Sequence, residues 1–159
     1  RITWYVTYMG LYDRMVLTGL RNVLRKQKEK VRVNVIPLPT TDGANEPILE
    51  AMMEILRQKG DGVLQELHER LVESHSPVRP AALCDMMECD PAALGRALKQ
   101  HAHASAIRTM RAVSKKIMLE RQTVLRIQNS LFVDATTVYS QMELAVDGYL
   151  NFPEAEAAP

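Results

Sequence analysis

Short runs of β-branched and aromatic residues lie at both ends of the chain, whereas the middle carries apolar residues at helical spacing. Residues 2–8 have large side chains on both alternating faces, which predicts a central strand that is covered on both sides. Residues 31–35 alternate valine with polar residues until Pro37 and predict a second strand. Apolar positions at helical spacing fill residues 13–30 between them, so we expect two parallel strands joined by a helix.

The middle of the chain predicts a series of helices. Pro47 opens a helix that runs to residue 59, where two glycines end it, and a second helix follows to about residue 72. A third, short helix is expected before Asp90, whose carboxylate can cap a fourth helix that begins with a proline. A long helix is predicted over residues 105–126, because apolar residues recur there every three or four positions.

The C-terminal stretch predicts a β-hairpin and a last helix. Strands are expected over residues 131–133 and 138–139, antiparallel across a turn at 134–137, with a helix over 142–150. Strands at the two ends of the chain can then form one mixed sheet, and the helices between them become an insertion. Residues 153–159 are expected to form a frayed tail.

Composition narrows the choice of function. The 159 residues suffice for one domain, or for one domain with a large insertion. The formal net charge of +1 gives no overall field that would favour nucleic acid or an anionic membrane. No apolar run approaches the roughly 20 residues that span a bilayer.

The four histidines lack the spacing of a metal-binding set, so no metal site is expected. Cys84 and Cys89 can be bridged only if the chain turns between them, and two small buried side chains are the favoured interpretation.

Two sets of basic residues allow a nucleic-acid hypothesis. Arg25, Lys26, Lys28 and Lys30 could form a phosphate-binding patch, although a solvated helix end is favoured. Residues 80–100 also match the apolar pattern of a helix-turn-helix, with Arg96, Lys99 and Gln100 able to reach bases or phosphates. A DNA-binding protein is therefore kept as an alternative, although no nucleic-acid partner is expected.

The order of the elements resembles that of DsbA-like proteins with a thioredoxin fold. The similarity covers nearly the whole chain and is carried by four segments taken in their order and spacing. These segments are the first strand with the turn at residues 8–12, Ile36-Pro37-Leu38-Pro39, Cys89-Asp90-Pro91-Ala92-Ala93-Leu94, and Leu131-Phe132-Val133-Asp134. The resemblance implies an α/β, thioredoxin-like fold with a mixed sheet and a DsbA-type helical insertion. Residues 1–39 and 127–152 would form the core, residues 40–126 the insertion and residues 153–159 the tail.

The chain departs from this family at both parts of its redox site. DsbA-like proteins carry a Cys-x-x-Cys just after the first strand, where the helix N-terminus stabilises a thiolate. Here the corresponding residues are Gly10-Leu11-Tyr12-Asp13. The family also places a cis-proline before the third strand, and the corresponding residues here are Gln128-Asn129-Ser130. The resemblance therefore implies the fold without a thiol–disulfide exchange site.

The expected function is that of a redox-inactive, protein-binding module: a chaperone, an adaptor, or an assembly component of a cell-envelope or secretion apparatus. The resemblance implies a periplasmic or otherwise extracytoplasmic location, and a protein or peptide as partner. No catalytic residue and no cofactor are assigned. The alternative is a glutathione-dependent transferase or isomerase of the kappa-class type, in which Tyr8 or Tyr12 would stabilise a bound thiolate. The expected partner groove consists of Met9, Gly10, Leu11, Tyr12, Asp13, Asn129 and Ser130.

Overall fold

The computed structural model of the chain describes residues 1–9, 13–74, 77–117, 124–128, 130–132 and 146. Four strands and six α-helices lie in these residues, with a single 3-10 turn at Asp61–Val63. In chain order the elements are β1 Ile2–Val6, α1 Asp13–Gln27, β2 Val33–Pro37, α2 Glu46–Lys59, α3 Leu64–Glu73, α4 Pro80–Met86, α5 Pro91–Lys99, α6 Ala104–Ile117, β3 Val124–Ile127 and β4 Ser130–Phe132.

The four strands form one sheet in the order β2-β1-β3-β4, so β1 lies in its interior. All five residues of β1 are buried, which confirms the prediction of a strand covered on both sides. β3 runs antiparallel to β1, with Ile2 opposite Ile127 and Tyr5 opposite Val124, and β4 is antiparallel to β3. Because β1 and β2 are connected through a helix, they form the parallel pair of a mixed sheet. The predicted α/β class is confirmed.

Helix α1 forms because its apolar residues recur on one side. Val16, Leu17, Leu20 and Val23 are buried on that side. Asp13 occupies the first turn, and Arg25 and Lys26 occupy the last. Both placements oppose the partial charges at the helix ends.

The chain divides into two compact units: Arg1–Ile36 with Arg121–Pro159, and Pro37–Glu120. The second unit is built around α2, which contacts α4, α5 and α6. Its buried side consists of aliphatic and methionine side chains with one carboxylate, Glu54. None of the helices in the described ranges is both long enough and apolar enough to cross a membrane.

The residues that lead into α2 are held by side-chain hydrogen bonds. The Asn45 side chain accepts from the Thr40 amide at 2.8 Å and donates to the Leu38 carbonyl at 2.8 Å. The Ser114 hydroxyl of α6 donates to the Pro39 carbonyl at 2.7 Å. These buried polar groups therefore have partners, which removes the penalty for taking them out of water.

The prediction of a long helix over residues 105–126 is wrong at its C-terminal end. Helix α6 ends at Ile117, and Val124–Ile127 is strand β3. Three residues that the sequence-based division assigned to the insertion therefore belong to the sheet. The sequence Val-Leu-Arg-Ile is buried at three of its four positions, so it shows no clear alternation, and periodicity alone does not distinguish such a strand from a helix.

The predicted strand over residues 131–133 overlaps β4, and its described partner is β3, which the sequence analysis did not predict. β3 and β4 pair through Leu125–Phe132 and Ile127–Ser130, so the chain reverses between Ile127 and Ser130. Gln128 adopts a positive φ of 53° where the chain reverses. The predicted turn at 134–137 lies outside the described residues. The predicted strand at 138–139 lies outside the described residues, as does the predicted last helix except for Val146, which is helical and buried.

Candidate functional site

The residues that follow β1 adopt an unusual backbone conformation. Tyr8 has a φ of +60°, which is uncommon for a residue other than glycine and costs about 1–2 kcal/mol. Thr7 is buried, and its hydroxyl accepts a hydrogen bond from the Met9 amide at 3.3 Å. Such conformations persist only where surrounding contacts impose them, and they concentrate at functional sites. The segment between β1 and α1 is thus a candidate site on geometric grounds.

Asp13 places a buried carboxylate at the first turn of α1. Its side chain is 3% exposed, in a position where the helix dipole favours an anion. Burial, followed by the negative charge of Asp13, raises the pKa of the Tyr8 phenol above its ordinary value of 10.0. Tyr8 therefore stays protonated in neutral solution and can donate a hydrogen bond, but it does not act as a phenolate.

Part of the predicted groove is described by the structure. Met9 is half-buried and Asp13 is buried, both beside the end of β1, whereas Gly10, Leu11, Tyr12 and Asn129 lie outside the described residues. Ser130 is the first residue of β4 and pairs with Ile127.

The presence of β3 changes which residues precede the third strand. That strand is β3, so residues 121–123 precede it, and these lie outside the described part of the chain. The sequence has no proline between Pro91 and Pro153, so neither stretch supplies the family's proline. The membership of Asn129 and Ser130 in a groove stays a prediction, and the strand assignment that suggested it is corrected.

The two cysteines form a disulfide bridge within the second unit. Cys84 lies in α4, Cys89 directly precedes the Asp90 cap of α5, and their Cα atoms are 5.0 Å apart. The chain turns between them at Glu88, whose φ is +53°, and the Cys89 amide donates to the Cys84 carbonyl at 3.0 Å. The interpretation of two separate buried thiols is therefore wrong. The turn on which a bridge depends is present, and both cysteines of the chain are used in it.

A buried ionic cluster around Glu54 has no counterpart among the sequence predictions. The Glu54 carboxylate accepts from Arg57 Nε at 3.0 Å and Nη2 at 2.6 Å, and from Gln58 Nε2 at 3.2 Å. His103 Nε2 lies 2.9 Å from its other oxygen. The hydrogen bond from Arg57, aided by His103 and Gln58, lowers the pKa of Glu54 to about 2 although burial opposes this. This carboxylate stays ionised and its oxygens are occupied by hydrogen bonds, so its role is structural. It is unsuited to general acid or base catalysis, which requires a group that exchanges a proton near the working pH.

The same cluster reaches the start of α5. Gln58 Oε1 accepts from the Asp90 amide at 2.8 Å, while the Asp90 carboxylate accepts from the Ala92 and Ala93 amides. Sequence analysis found the Asp90 cap because it is local, and missed Glu54 because His103 lies 49 residues away. No group of histidine, cysteine, aspartate and glutamate side chains among the described residues could hold a metal ion.

Comparison with known proteins identifies the fold. No protein-family model and no curated protein matches the chain. A thioredoxin-like oxidoreductase from Silicibacter pomeroyi DSS-3 matches with a TM-score of 0.70 and 17% identity, over 94% of this chain and 86% of the other. Oxidised BdbD from Bacillus subtilis gives a TM-score of 0.70 and 13% identity, over 94% and 88%. A periplasmic thioredoxin-like protein from Salmonella enterica serovar Typhimurium gives 0.66 and 18%, over 94% and 83%.

Proposed function

Because the chain has the DsbA-like thioredoxin fold, we propose that it is a redox-inactive module that binds a protein partner or peptide beside the end of β1. The observation that carries this proposal is the sequence after β1, Met9-Gly10-Leu11-Tyr12-Asp13, which contains no cysteine. Thiol–disulfide exchange requires a thiolate that attacks a disulfide sulfur. Both cysteines of this chain are instead bridged to each other in the second unit.

Asp13 further opposes redox chemistry at this position. A helix N-terminus normally favours the thiolate of a reactive cysteine. Here a buried carboxylate occupies the first turn of α1. A carboxylate cannot be oxidised to a disulfide, and its negative charge would raise the pKa of a neighbouring thiol.

The groups around the end of β1 suit binding. Met9 is half-buried and offers a flexible, polarisable side chain, which adapts to varied apolar partners. Tyr8 keeps its phenol proton and sits on a constrained backbone, so its position is fixed before a partner arrives. Solved structures with the same fold include an oxidoreductase, and in this proposal the present chain uses the end of β1 for binding instead.

Two measurements on the intact chain test this function. In an insulin-reduction assay with dithiothreitol, we expect no turnover above background. In a titration with a reduced, carboxymethylated protein, which cannot form disulfides, we expect saturable binding that Met9→Ala weakens. Met86→Ala is the matched control, because Met86 is an exposed methionine of the second unit.

Two results would contradict the proposed function. Insulin reduction that disappears in Cys84→Ser would show that the bridge is a redox centre. Binding that both methionine variants weaken equally would remove the end of β1 from the binding surface.

The glutathione-dependent alternative receives support from one observation, the protonated phenol of Tyr8, which can donate a hydrogen bond to a bound sulfur. The adjacent negative charge of Asp13 works against it, because it disfavours an anionic thiolate at the same place. Titration with glutathione, followed by the fluorescence of the buried Trp4 in β1, separates the two functions. A saturable change that Tyr8→Phe abolishes would favour the enzyme.

An extracytoplasmic location belongs to the same proposal. The Cys84–Cys89 bridge supports it, since disulfides persist in oxidising compartments and are rare in the cytosol of most organisms. The similarity in fold to a periplasmic protein supports it as well. Alkylation of free thiols in the native host, before and after reduction, measures whether the bridge is present there.

A further inference from the structure

The solvent side of α1 carries a line of positive charge. Arg14, Arg21 and Arg25 are separated by seven and four residues, so they lie on one face of the helix, and all three are exposed. Lys28 follows directly after the last residue of α1 and is exposed as well. We call these four residues the basic stripe. From Arg14 to Arg25 it extends about 17 Å, at 1.5 Å for each helical residue.

The charge of this region differs from that of the whole chain. Residues 14–32 contain seven lysines and arginines and a single carboxylate, Glu29, whereas the chain as a whole has a formal net charge of only +1. Asp13, at the start of the helix, is buried. Positive charge is therefore concentrated in residues 14–32, which contain the basic stripe, while the rest of the sequence is net negative. Such an asymmetry directs the protein toward an anionic surface.

The surface offers charge without an apolar anchor. The large hydrophobic residues that are exposed within the described ranges are Leu64, Met86 and Val113, and none of them belongs to α1. Thr18 occupies the stripe between Arg14 and Arg21 and is exposed. Protein–protein interfaces usually combine arginine with buried aromatic or apolar side chains, and α1 exposes no large side chain of that kind. A layer of mobile anionic headgroups requires none.

We propose that the basic stripe docks the protein on a membrane surface that is rich in anionic phospholipid. The buried side of α1 is occupied by the protein's own core, so the contact is peripheral and electrostatic rather than inserted. The Cys84–Cys89 bridge favours lipid over nucleic acid as the anionic partner, because oxidising compartments hold membranes and little nucleic acid.

The test measures co-sedimentation of the full chain with vesicles. Binding to vesicles of phosphatidylcholine with roughly a third phosphatidylglycerol, an anionic lipid, is compared with binding to pure phosphatidylcholine vesicles. Both are measured at low and at high salt. The wild-type chain should bind only the anionic vesicles, and binding should fall as salt rises. A triple variant, Arg21→Gln, Arg25→Gln and Lys28→Gln, should lower the partition coefficient about a hundredfold, since each cation near such a surface contributes roughly fivefold.

A control variant has the same net charge as the triple variant of the basic stripe. Arg79→Gln, Arg96→Gln and Lys99→Gln removes three exposed cations from the second unit and should leave vesicle binding within about twofold of wild type. Circular dichroism confirms that both variants are folded, and Arg25→Gln alone gives a second readout, with a loss of about fivefold.

Three results would overturn the proposal. The first is a wild-type chain that ignores anionic vesicles. The second is an equal loss in the two triple variants, which would assign binding to net charge rather than to the stripe. The third is binding of duplex DNA tighter than that of anionic vesicles and abolished by the stripe variant, which would make nucleic acid the partner.

Discussion

The ionic cluster of α2 makes a quantitative prediction for Glu54→Gln. Glu54 is 2% exposed and accepts hydrogen bonds from Arg57 and Gln58, with His103 Nε2 at 2.9 Å. The substitution keeps the shape of the side chain and removes its charge. Its NH₂ group replaces an oxygen that receives hydrogen bonds, so at least one buried contact becomes unfavourable.

The magnitude follows from the pKa of the carboxyl group. The surroundings of Glu54 lower its pKa from the ordinary 4.5 to about 2. At 1.36 kcal/mol for each pKa unit, this corresponds to about 3 kcal/mol of stability at pH 7. That figure is an upper limit, because the side chain of its main partner, Arg57, is 61% exposed and solvent screens the pair.

The sign of the pH dependence is fixed by the direction of the shift. A depressed carboxyl pKa adds stability that is fully present above pH 4.5 and declines as the pH falls toward 2. At pH 3 less than half of the roughly 3 kcal/mol remains by the same linkage relation. The difference between wild type and Glu54→Gln should therefore be largest at neutral pH and shrink on acidification.

Urea unfolding at pH 7, 5 and 3, followed by circular dichroism, measures this difference. Glu50→Gln is the matched control, because Glu50 lies one turn earlier in α2 and faces His101, a largely exposed partner, at 3.5 Å. The control should change the free energy of unfolding by less than about 1 kcal/mol. The reasoning is refuted if Glu54→Gln destabilises equally at pH 7 and pH 3, or if the two variants behave alike.

Two local features give further predictions. Asp90→Ala should cost about 1 kcal/mol by removing the cap of α5, whose carboxylate accepts from first-turn amides at 2.9 and 3.3 Å; Asp85→Ala, at an exposed position of α4, should stay near wild type in the same melt. Gly43→Ala should destabilise by about 1 kcal/mol or more, because φ is +72° and the new Cβ would lie 3.3 Å from Arg111 Nη2. Gly62→Ala meets nothing within 4 Å and should be neutral or stabilising, and the reverse order in thermal melts would contradict this reasoning.

Features with a local cause were predictable from the sequence. The strand–helix–strand unit followed from a β-branched run, an amphipathic helix and a second alternating run, and β1, α1 and β2 confirm it. The start of α5 followed from Asp90 and Pro91, and the Asp90 carboxylate caps that helix. In each case neighbouring residues alone determine the conformation, so no knowledge of the tertiary structure was needed.

The region from residue 105 to 132 shows where local reasoning failed. An apolar stripe at helical spacing was extended through Val124, and that residue pairs with Tyr5 in the sheet. Whether Val124 forms part of a helix or of a strand depends on its pairing with β1, which lies far away in the sequence. Tertiary pairing therefore overrode the helical pattern, and because β3 was missed, residues 128–130 were compared with the segment that precedes the third strand.

The candidate site was only partly accessible to sequence reasoning for a related reason. The cysteine bridge depends on the turn at Glu88, and the Glu54 cluster depends on a histidine from another part of the fold. Spacing along the chain carries no information on either contact. The end of β1, by contrast, could be located, because it is defined by a strand and the helix that follows.

Two carboxylates, Asp13 and Glu54, are buried among the described residues, and the groups that surround them differ. Glu54 has cationic and amide donors that hold it ionised, which is the usual way for a fold to accommodate a buried charge. Asp13 stands at the first turn of α1, near a tyrosine with a positive φ. The helix dipole favours an anion at this position, whereas the positive φ of Tyr8 carries a cost that surrounding contacts must offset. A strained residue beside a buried carboxylate is typical of functional sites, which is the physical reason for proposing the binding surface at the end of β1.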